Sequence, residues 1–356
     1  MNSSLFVEED IPKEKKISPD TTFKQYSERW LELNKPFLSP KTYYRYLSLL
    51  QIINEGIGHI RMTKIEAYHL QMYYNNLSTA TINKRTGGTL SNKTIIHHHR
   101  LISVIIGQAV REDILKINIA EKSYLRLPKL QKNEARYLSE EEVAELLILL
   151  KNEQIKWRTI ILLLLYTGMR RGELCGLEWT DINYNTKELR IERTSQYLPE
   201  LGIITKCTKT ASSTRTIKIS SEVITILQDY RKWWISQASR TEWNNYIEVK
   251  YSNGYSEVIK NQRLFTQWNG YPIHPDSISD YTKKFCKKYN FSRFSPHALR
   301  HTNISLLVGN QIPINQVAQR VGHAQPTTTQ NVYTHLIKSC NDNTADKIEE
   351  IISALK

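Results

Sequence analysis

The chain has 356 residues, 40% hydrophobic and 24% charged. That length and balance allow two or three domains with at least one sizeable core, and exclude a mostly disordered chain. Its 49 basic and 35 acidic residues leave a formal charge of +14, split evenly between residues 1–130 and the remainder. An even surplus points to a polyanionic partner touched along the whole length rather than through a basic tail.

Cys175, Cys207, Cys286 and Cys340 have neither metal-ligand nor disulfide spacing, as expected in a reduced, cytoplasmic compartment. Met1 to Asp20 is polar and charged, unlike a signal peptide. The most apolar run, Ile160 to Tyr166, is far shorter than the ~20 residues a membrane helix needs, so no membrane partner is expected.

The first 20 residues read as a flexible leader. Thr22 with Gln25 forms a capping box that opens a helix, with Phe23, Tyr26, Trp30 and Leu33 on one face. Ser39-Pro40 opens a second, striped by Tyr43, Leu47, Leu50 and Ile53 and ended by Gly56 and Gly58. Ile65 to Leu77 is a third helix, Thr79 to Thr89 a turn region, and Asn92 to Glu112 a long fourth helix capped by Ser91. No strand signal precedes residue 130. Residues 21–126 therefore predict an all-helical domain, and residues 127–136 a charged linker containing Pro128.

Ser139 with Glu142 is a second capping box, ahead of Val143, Leu146, Leu147 and Leu150. Trp157 to Tyr166 is nearly all apolar and predicts a buried helix stopped at Thr167-Gly168. Leu189 to Glu192 and Thr216 to Ile219 predict strands pairing in a small antiparallel sheet. Val223 to Ala238 is helical, whereas Arg240 to Asn261 is polar and aromatic with no assignable element. Helices resume over Ser277 to Lys288, His297 to Val308 and Ile314 to Val321, and again over Thr344 to Leu355 after a polar stretch. The fold class is mainly α with a small antiparallel sheet: a helical domain, a mixed α/β domain over 137–338, and a helical tail over 339–356.

Four motifs in the second domain carry chemistry. Thr167-Gly168-Met169-Arg170-Arg171-Gly172-Glu173-Leu174 places Arg170 beside a buried helix, where packing alone gives it no reason to be, with Glu173 three residues on to orient it. Lys209-Thr210-Ala211-Ser212-Ser213-Thr214-Arg215 is a basic stretch leading into a strand. His297-Ala298-Leu299-Arg300-His301 puts His297 and Arg300 on one face in a first helical turn, where backbone N–H groups also favour an anion. Gly322-His323 is followed by Val332-Tyr333-Thr334-His335. Cutting a phosphodiester needs a nucleophile, fixed cations beside the phosphoryl oxygens, and an acid for the leaving oxygen. Arginine suits the second task because its planar fork matches phosphate geometry.

The Thr-Gly-x-Arg-x-x-Glu-Leu box, the Lys-Thr-x-x-Ser-x-Arg stretch, His-x-x-Arg, Gly-His and Tyr-x-His occur in the order found in the tyrosine recombinases, or phage integrase family, which the chain resembles. The resemblance is strong over 167–335. Over 21–126 it rests on position and helix pattern, as a SAM-like core-binding domain. It implies that Tyr333 is the nucleophile and that Arg170 and Arg300 clamp the phosphate. It makes Lys209 the general acid, His297 an aid to proton transfer, His323 a phosphate ligand and Glu173 a brace. It further implies a 3′-phosphotyrosyl intermediate, a Holliday junction and a homotetramer on double-stranded DNA attachment sites, with an excisionase or host DNA-bending protein as possible partners. No cofactor and no metal are implied. Only about 20 residues precede the first helix, so an arm-site-binding domain is either lacking or reduced to a remnant. Integration of a mobile element is the favoured role; a Xer-like dimer-resolving recombinase and a type IB topoisomerase are the alternatives. His97-His98-His99 is a poor zinc cage, because adjacent helical residues diverge by roughly 100°, and no His-Glu-x-x-His is present.

Overall fold

The computed structural model describes residues 18–79, 87–130, 136–207, 214–240, 242–251, 254–323, 325–327 and 330. The chain divides into two compact units, 1–132 and 133–356.

The first unit is helical. Helix α1 (Phe23–Asn34) starts with the reciprocal Thr22–Gln25 box, and α2 (Pro40–Ile57) with Ser39 accepting from the Thr42 N–H. Helix α3 (Ala67–Thr79) follows, then α4 (Asn92–Arg111), capped by Ser91. Among the described residues the only extended pairing here is an isolated bridge between Thr22 and Arg61. Phe23, Tyr26, Trp30, Leu50, Ile53, Leu70, Ile102 and Ile105 form the core.

Two expected core positions are corrected. Leu33 is 58% exposed and Leu47 47%. The buried face of α1 centres on Phe23, Ser27 and Trp30 and takes in Leu31, which leaves Leu33 at its edge. Gly56 does not end α2 but lies inside it. A Cβ there would sit 2.5 Å from the ring of Tyr73, so glycine lets α3 approach. Gly58 is the C-cap.

In the second unit α5 (Glu140–Leu150) carries the Ser139–Glu142 box, and α6 (Ile155–Thr167) is buried nearly all round, ending at Gly168 with φ 63°. After the short α7 (Arg171–Gly176) come β1 (Ile182–Asn183), β2 (Glu188–Ile191), β3 (Arg193–Leu198), β4 (Gly202–Cys207) and β5 (Arg215–Lys218). The expected pairing is present: β2 runs antiparallel to β5, with Leu189 opposite Ile217 and β1 on the outer side.

A second sheet, of order β3-β4-β6-β7, extends the expectation. Its strands β6 (Tyr246–Tyr251) and β7 (Ser256–Lys260) form a hairpin in the stretch that had no sequence assignment. Only Ile247 and Val249 of β6 are buried, too short an alternation to stand out. The sheet is mixed, since β4 and β6 are parallel. Buried Arg263 ties this sheet to α7, donating from Nη1 to the Gly176 carbonyl at 3.0 Å and from Nη2 to Thr205 Oγ1 at 2.9 Å.

Helices α8 (Ser221–Ala238), α9 (Pro275–Lys288), α10 (Pro296–Gly309) and α11 (Ile314–Val321) complete the unit. Its core gathers around α6, against Val223, Leu227 and Tyr230 of α8 and Leu299 of α10. No helix among the described residues is long and apolar enough to cross a membrane. The tail helix expected over Thr344 to Leu355 lies outside the described residues.

Candidate active site

Three arginines from three parts of the second unit meet one helix end. An α-helix leaves its last carbonyls without intrahelical partners, and these carry the negative end of the helix dipole. At the end of α11 the carbonyls of residues 320, 321 and 322 each accept from a different guanidinium. Arg215 Nε donates to Arg320 O at 2.8 Å, Arg300 Nη1 to Val321 O at 2.8 Å, and Arg170 Nη2 to Gly322 O at 2.9 Å.

The chain turns away here because Gly322 adopts φ 73°, a left-handed conformation that glycine takes without steric cost. Gly168 does the same at the end of α6, and its carbonyl also accepts from Arg300 Nη1, at 2.7 Å. Arg300 thus bridges two helix C-termini while almost wholly buried. Both glycines are required by space as well. A Cβ on Gly168 would lie 2.6 Å from Asn303 Oδ1, and one on Gly322 would lie 2.7 Å from Arg215 Nη1.

Glu173 is the single buried carboxylate of the cluster. Its Oε1 accepts from Arg170 Nη1 at 2.8 Å. Its Oε2 accepts from the Arg170 backbone N–H at 2.9 Å and from Arg215 Nη2 at 2.8 Å. Burial alone would raise its pKa, but the bonds and charges of Arg215 and Arg170 hold it below the usual carboxylate range. One anion against three arginines leaves the corner cationic. The Arg170 side chain is 44% exposed, so its charge reaches solvent.

Helix α10 supplies the histidines. Ser295 caps it by accepting from the Ala298 N–H, and Pro296 takes the first turn. The rings of His297 and His301, one turn apart, meet edge to face at 4.6 Å. Burial, then Arg300 and Arg170, lowers the pKa of His297. Burial, then the same two arginines and the neighbouring histidines, lowers that of His323 to about 4. His301 is likewise lowered to about 4 by burial, His297 and Arg300. All three are neutral imidazoles near pH 7.

Five of the seven residues singled out in the sequence therefore share one corner: Arg170, Glu173, His297, Arg300 and His323. Lys209 and Tyr333 lie outside the described residues. Sequence reasoning gave no role to Arg215, His301 or Arg320. Arg215 did stand in a quoted motif, closing the Lys-Thr-x-x-Ser-x-Arg stretch. Arg320 had no signal; it donates to the carbonyls of Lys218 and Tyr166, joining α11 to β5 and α6. Of the His97–His99 triplet, His98 and His99 are buried packing residues. His98 Nδ1 lies 2.7 Å from the Tyr73 hydroxyl and His99 Nδ1 3.3 Å from that of Tyr74.

Residues 136–339 match the model of the phage integrase family, and residues 22–78 that of the phage integrase N-terminal SAM-like domain. The chain is 26% identical to a tyrosine recombinase XerC-like protein of Caldanaerobacter subterraneus subsp. tengcongensis, over 93% of this chain and 84% of that one. It is also 26% identical to the ICEBs1 integrase of Bacillus subtilis, over 74% of this chain and 67% of that one. Among solved structures, the Tn1549 transposon integrase in complex with a circular intermediate DNA superposes with a TM-score of 0.73 at 21% identity, covering 88% of this chain and 95% of that one. That likeness is one of fold.

Proposed function

The chain belongs to the phage integrase family and is a tyrosine-type site-specific DNA recombinase, and we propose that it cuts DNA with Tyr333 at the cationic corner formed by Arg170 and Arg300, with neutral His323 as a further phosphate ligand. Tyr333 Oη attacks the scissile phosphorus, forming a 3′-phosphotyrosyl bond as the bond to the 5′ oxygen breaks. Lys209 gives the leaving oxygen its proton. His297, kept neutral by burial and two arginines, is in the form that accepts the phenol proton. Attack by a partner strand's 5′ hydroxyl reverses the chemistry and rejoins DNA, the covalent bond having conserved the phosphodiester energy.

The observation that carries this reading is the convergence of Arg170, Arg215 and Arg300 on three successive carbonyls. The acceptors belong to the protein's own main chain, which holds the three guanidiniums in place. Such preorganised donors stabilise charge developing in the transition state without reorganisation at the moment of reaction.

Around this centre we assign residues 21–126 to a core-binding domain, 127–136 to a linker, 137–338 to the catalytic domain and 339–356 to a tail that contacts a neighbouring protomer. The substrate is a pair of double-stranded attachment sites held by a homotetramer, with exchange through a Holliday junction. The role is integration of a mobile element, in line with the integrase from ICEBs1. An excisionase or a host DNA-bending protein then sets direction.

The test uses a nicked duplex built on the sequence that the full chain retains from a randomised DNA pool. The wild-type chain should give a covalent adduct on a denaturing gel. Tyr333→Phe should bind the duplex as tightly and give none. An adduct at wild-type level from Tyr333→Phe removes Tyr333 from its role; no adduct from the wild type overturns the mechanism.

A further inference from the structure

Arg215 is unusual for a side chain outside the expected catalytic set. It is almost fully buried, and two of its three nitrogens are committed. Nη2 donates to Glu173 Oε2, and Nε to the Arg320 carbonyl at the end of α11. The third, Nη1, is buried with no acceptor among the described residues and faces the position where a side chain on Gly322 would begin. Burying a guanidinium is costly, and an apolar residue of similar volume often serves stability as well. A donor left without an acceptor adds to that cost. Stability alone therefore does not explain an arginine at 215.

The connections from Arg215 run towards the reacting groups. The Glu173 oxygen that receives it also receives the Arg170 backbone N–H, while the other oxygen holds the Arg170 guanidinium. Arg170 in turn grips Gly322 O, two residues from the carbonyl that Arg215 grips. The four groups form a closed loop: Arg215, Glu173, Arg170 and the 320–322 turn. Arg170 is the partly exposed member, and its long side chain would otherwise sample many rotamers. His323 follows the turn directly.

We infer that Arg215 is a positioning residue, which fixes Glu173 and the 320–322 turn and through them aims the Arg170 guanidinium. The inference rests on the reading that Arg170 binds the scissile phosphate. Lysine at 215 keeps the charge but not the fork, so it cannot donate to Glu173 and to the helix end in the same geometry. Charge alone is not enough to replace it.

The experiment is a double-mutant cycle on the full chain, read as the single-turnover cleavage rate of the selected nicked duplex with all DNA bound. Arg215→Lys should cleave about 30-fold slower than wild type, with duplex affinity unchanged, a loss on the scale of one misplaced electrostatic donor. In an Arg170→Lys background, where the loop is already broken, adding Arg215→Lys should change the rate by no more than about 3-fold. A residue that merely held the fold together would impose its loss in both backgrounds. Multiplying losses, or a wild-type rate from Arg215→Lys alone, overturn the inference. If Arg215→Lys shows no cooperative melting transition, Glu173→Gln enters the same cycle with the same two expected outcomes. Absence of adduct from the wild-type chain would instead count against the cleavage mechanism on which the inference rests.

Discussion

The two units bury polar groups for different ends. In the first, the buried polar side chains among the described residues are Ser27, His98 and His99, all uncharged and all with local partners: Asn54, Tyr73 and Tyr74. In the second, Glu173, Asp181, Arg215, Arg263 and Arg300 are all buried. Neutral pairs cost little to desolvate and lock helix against helix. Buried ions cost far more, and a mutual ion pair rarely returns a surplus. The first unit's interior is thus organised for packing, whereas part of the second unit's is organised to hold charge in place. The distinction can be attacked at several points.

The largest effect should come from Arg300. Arg300→Met keeps much of the volume and removes the charge. Cleavage of the nicked duplex should fall about 10²- to 10³-fold, the scale of losing a principal transition-state donor. Stability should fall by about 1–3 kcal/mol, because the Gly168 and Val321 carbonyls lose the donor that joins the two helix ends. A variant as active as wild type would show that the charge at 300 serves the fold alone.

Two glycines with the same backbone separate the units next. Gly87, in the first unit, has φ 70° and, among the described residues, nothing within 4 Å of where a Cβ would sit. Gly322 has φ 73° and Arg215 Nη1 at 2.7 Å. Gly87→Ala should cost about 1 kcal/mol, the price of a left-handed alanine, and leave cleavage unchanged. Gly322→Ala should cost about 2–3 kcal/mol, combining that strain with overpacking, and should slow cleavage at least about tenfold by displacing the arginine loop. Denaturant titration and the adduct assay read the two effects separately. Equal behaviour of the two variants would remove the steric argument.

How much of this was readable beforehand follows the same division. Helix starts were legible because capping is local: Thr22, Ser39, Ser91 and Ser139 each accept from the backbone N–H three residues on. The pairing of β2 with β5 was legible from β-branched runs. The β6–β7 hairpin was not, because only two of its first strand's side chains are buried. The place of Leu33 depended on which neighbours close over α1, which no single-helix pattern contains. At the site, Arg170, Glu173, His297, Arg300 and His323 stood in compact motifs. The anchor that Arg170 and Arg300 share with Arg215 did not: it is the carbonyl row of residues 320–322, and carbonyls are the same for every residue type. Arg320 is missed for the same reason, as its partners are main-chain oxygens.

Acid should reveal the neutral interior of the first unit. Burial, with a contribution from His97, lowers the pKa of His98 from 6.5 to about 4. The unfolded chain therefore binds this proton more readily than the folded one. The stability associated with neutral His98 is complete above about pH 6.5 and is lost as pH falls towards 4. Between pH 8 and pH 5 the loss should be on the order of 2 kcal/mol. His301 and His323 act with the same sign in the second unit. His98→Gln in the full chain should flatten the pH dependence of the first unit's unfolding, followed by amide hydrogen exchange in α3 and α4. An unchanged slope in that variant would locate the acid sensitivity elsewhere.

The smallest expected effect concerns helix starts. None of the four α-helices described in the first unit has an acidic residue in its first turn. In the second unit α5 has three, Glu140, Glu141 and Glu142. The N-terminus of a helix carries the positive end of its dipole, so α4 is left uncompensated while α5 is already saturated. Helix α4 is capped by Ser91, with Lys93 in its first turn adding further positive charge. Ser91→Asp keeps an oxygen acceptor for the Thr94 N–H and adds a negative charge. It should stabilise the full chain by about 0.5 kcal/mol at low salt. Ser139→Asp should gain nothing or lose slightly, because its new charge faces three glutamates. Both shifts should shrink in 1 M salt, where the Debye length is about 3 Å. If the first unit's bare helix starts face DNA phosphates, Ser91→Asp should also weaken duplex binding while stabilising the protein, which Ser139→Asp cannot do. Equal stabilisation from both substitutions would show that first-turn charge does not distinguish the units.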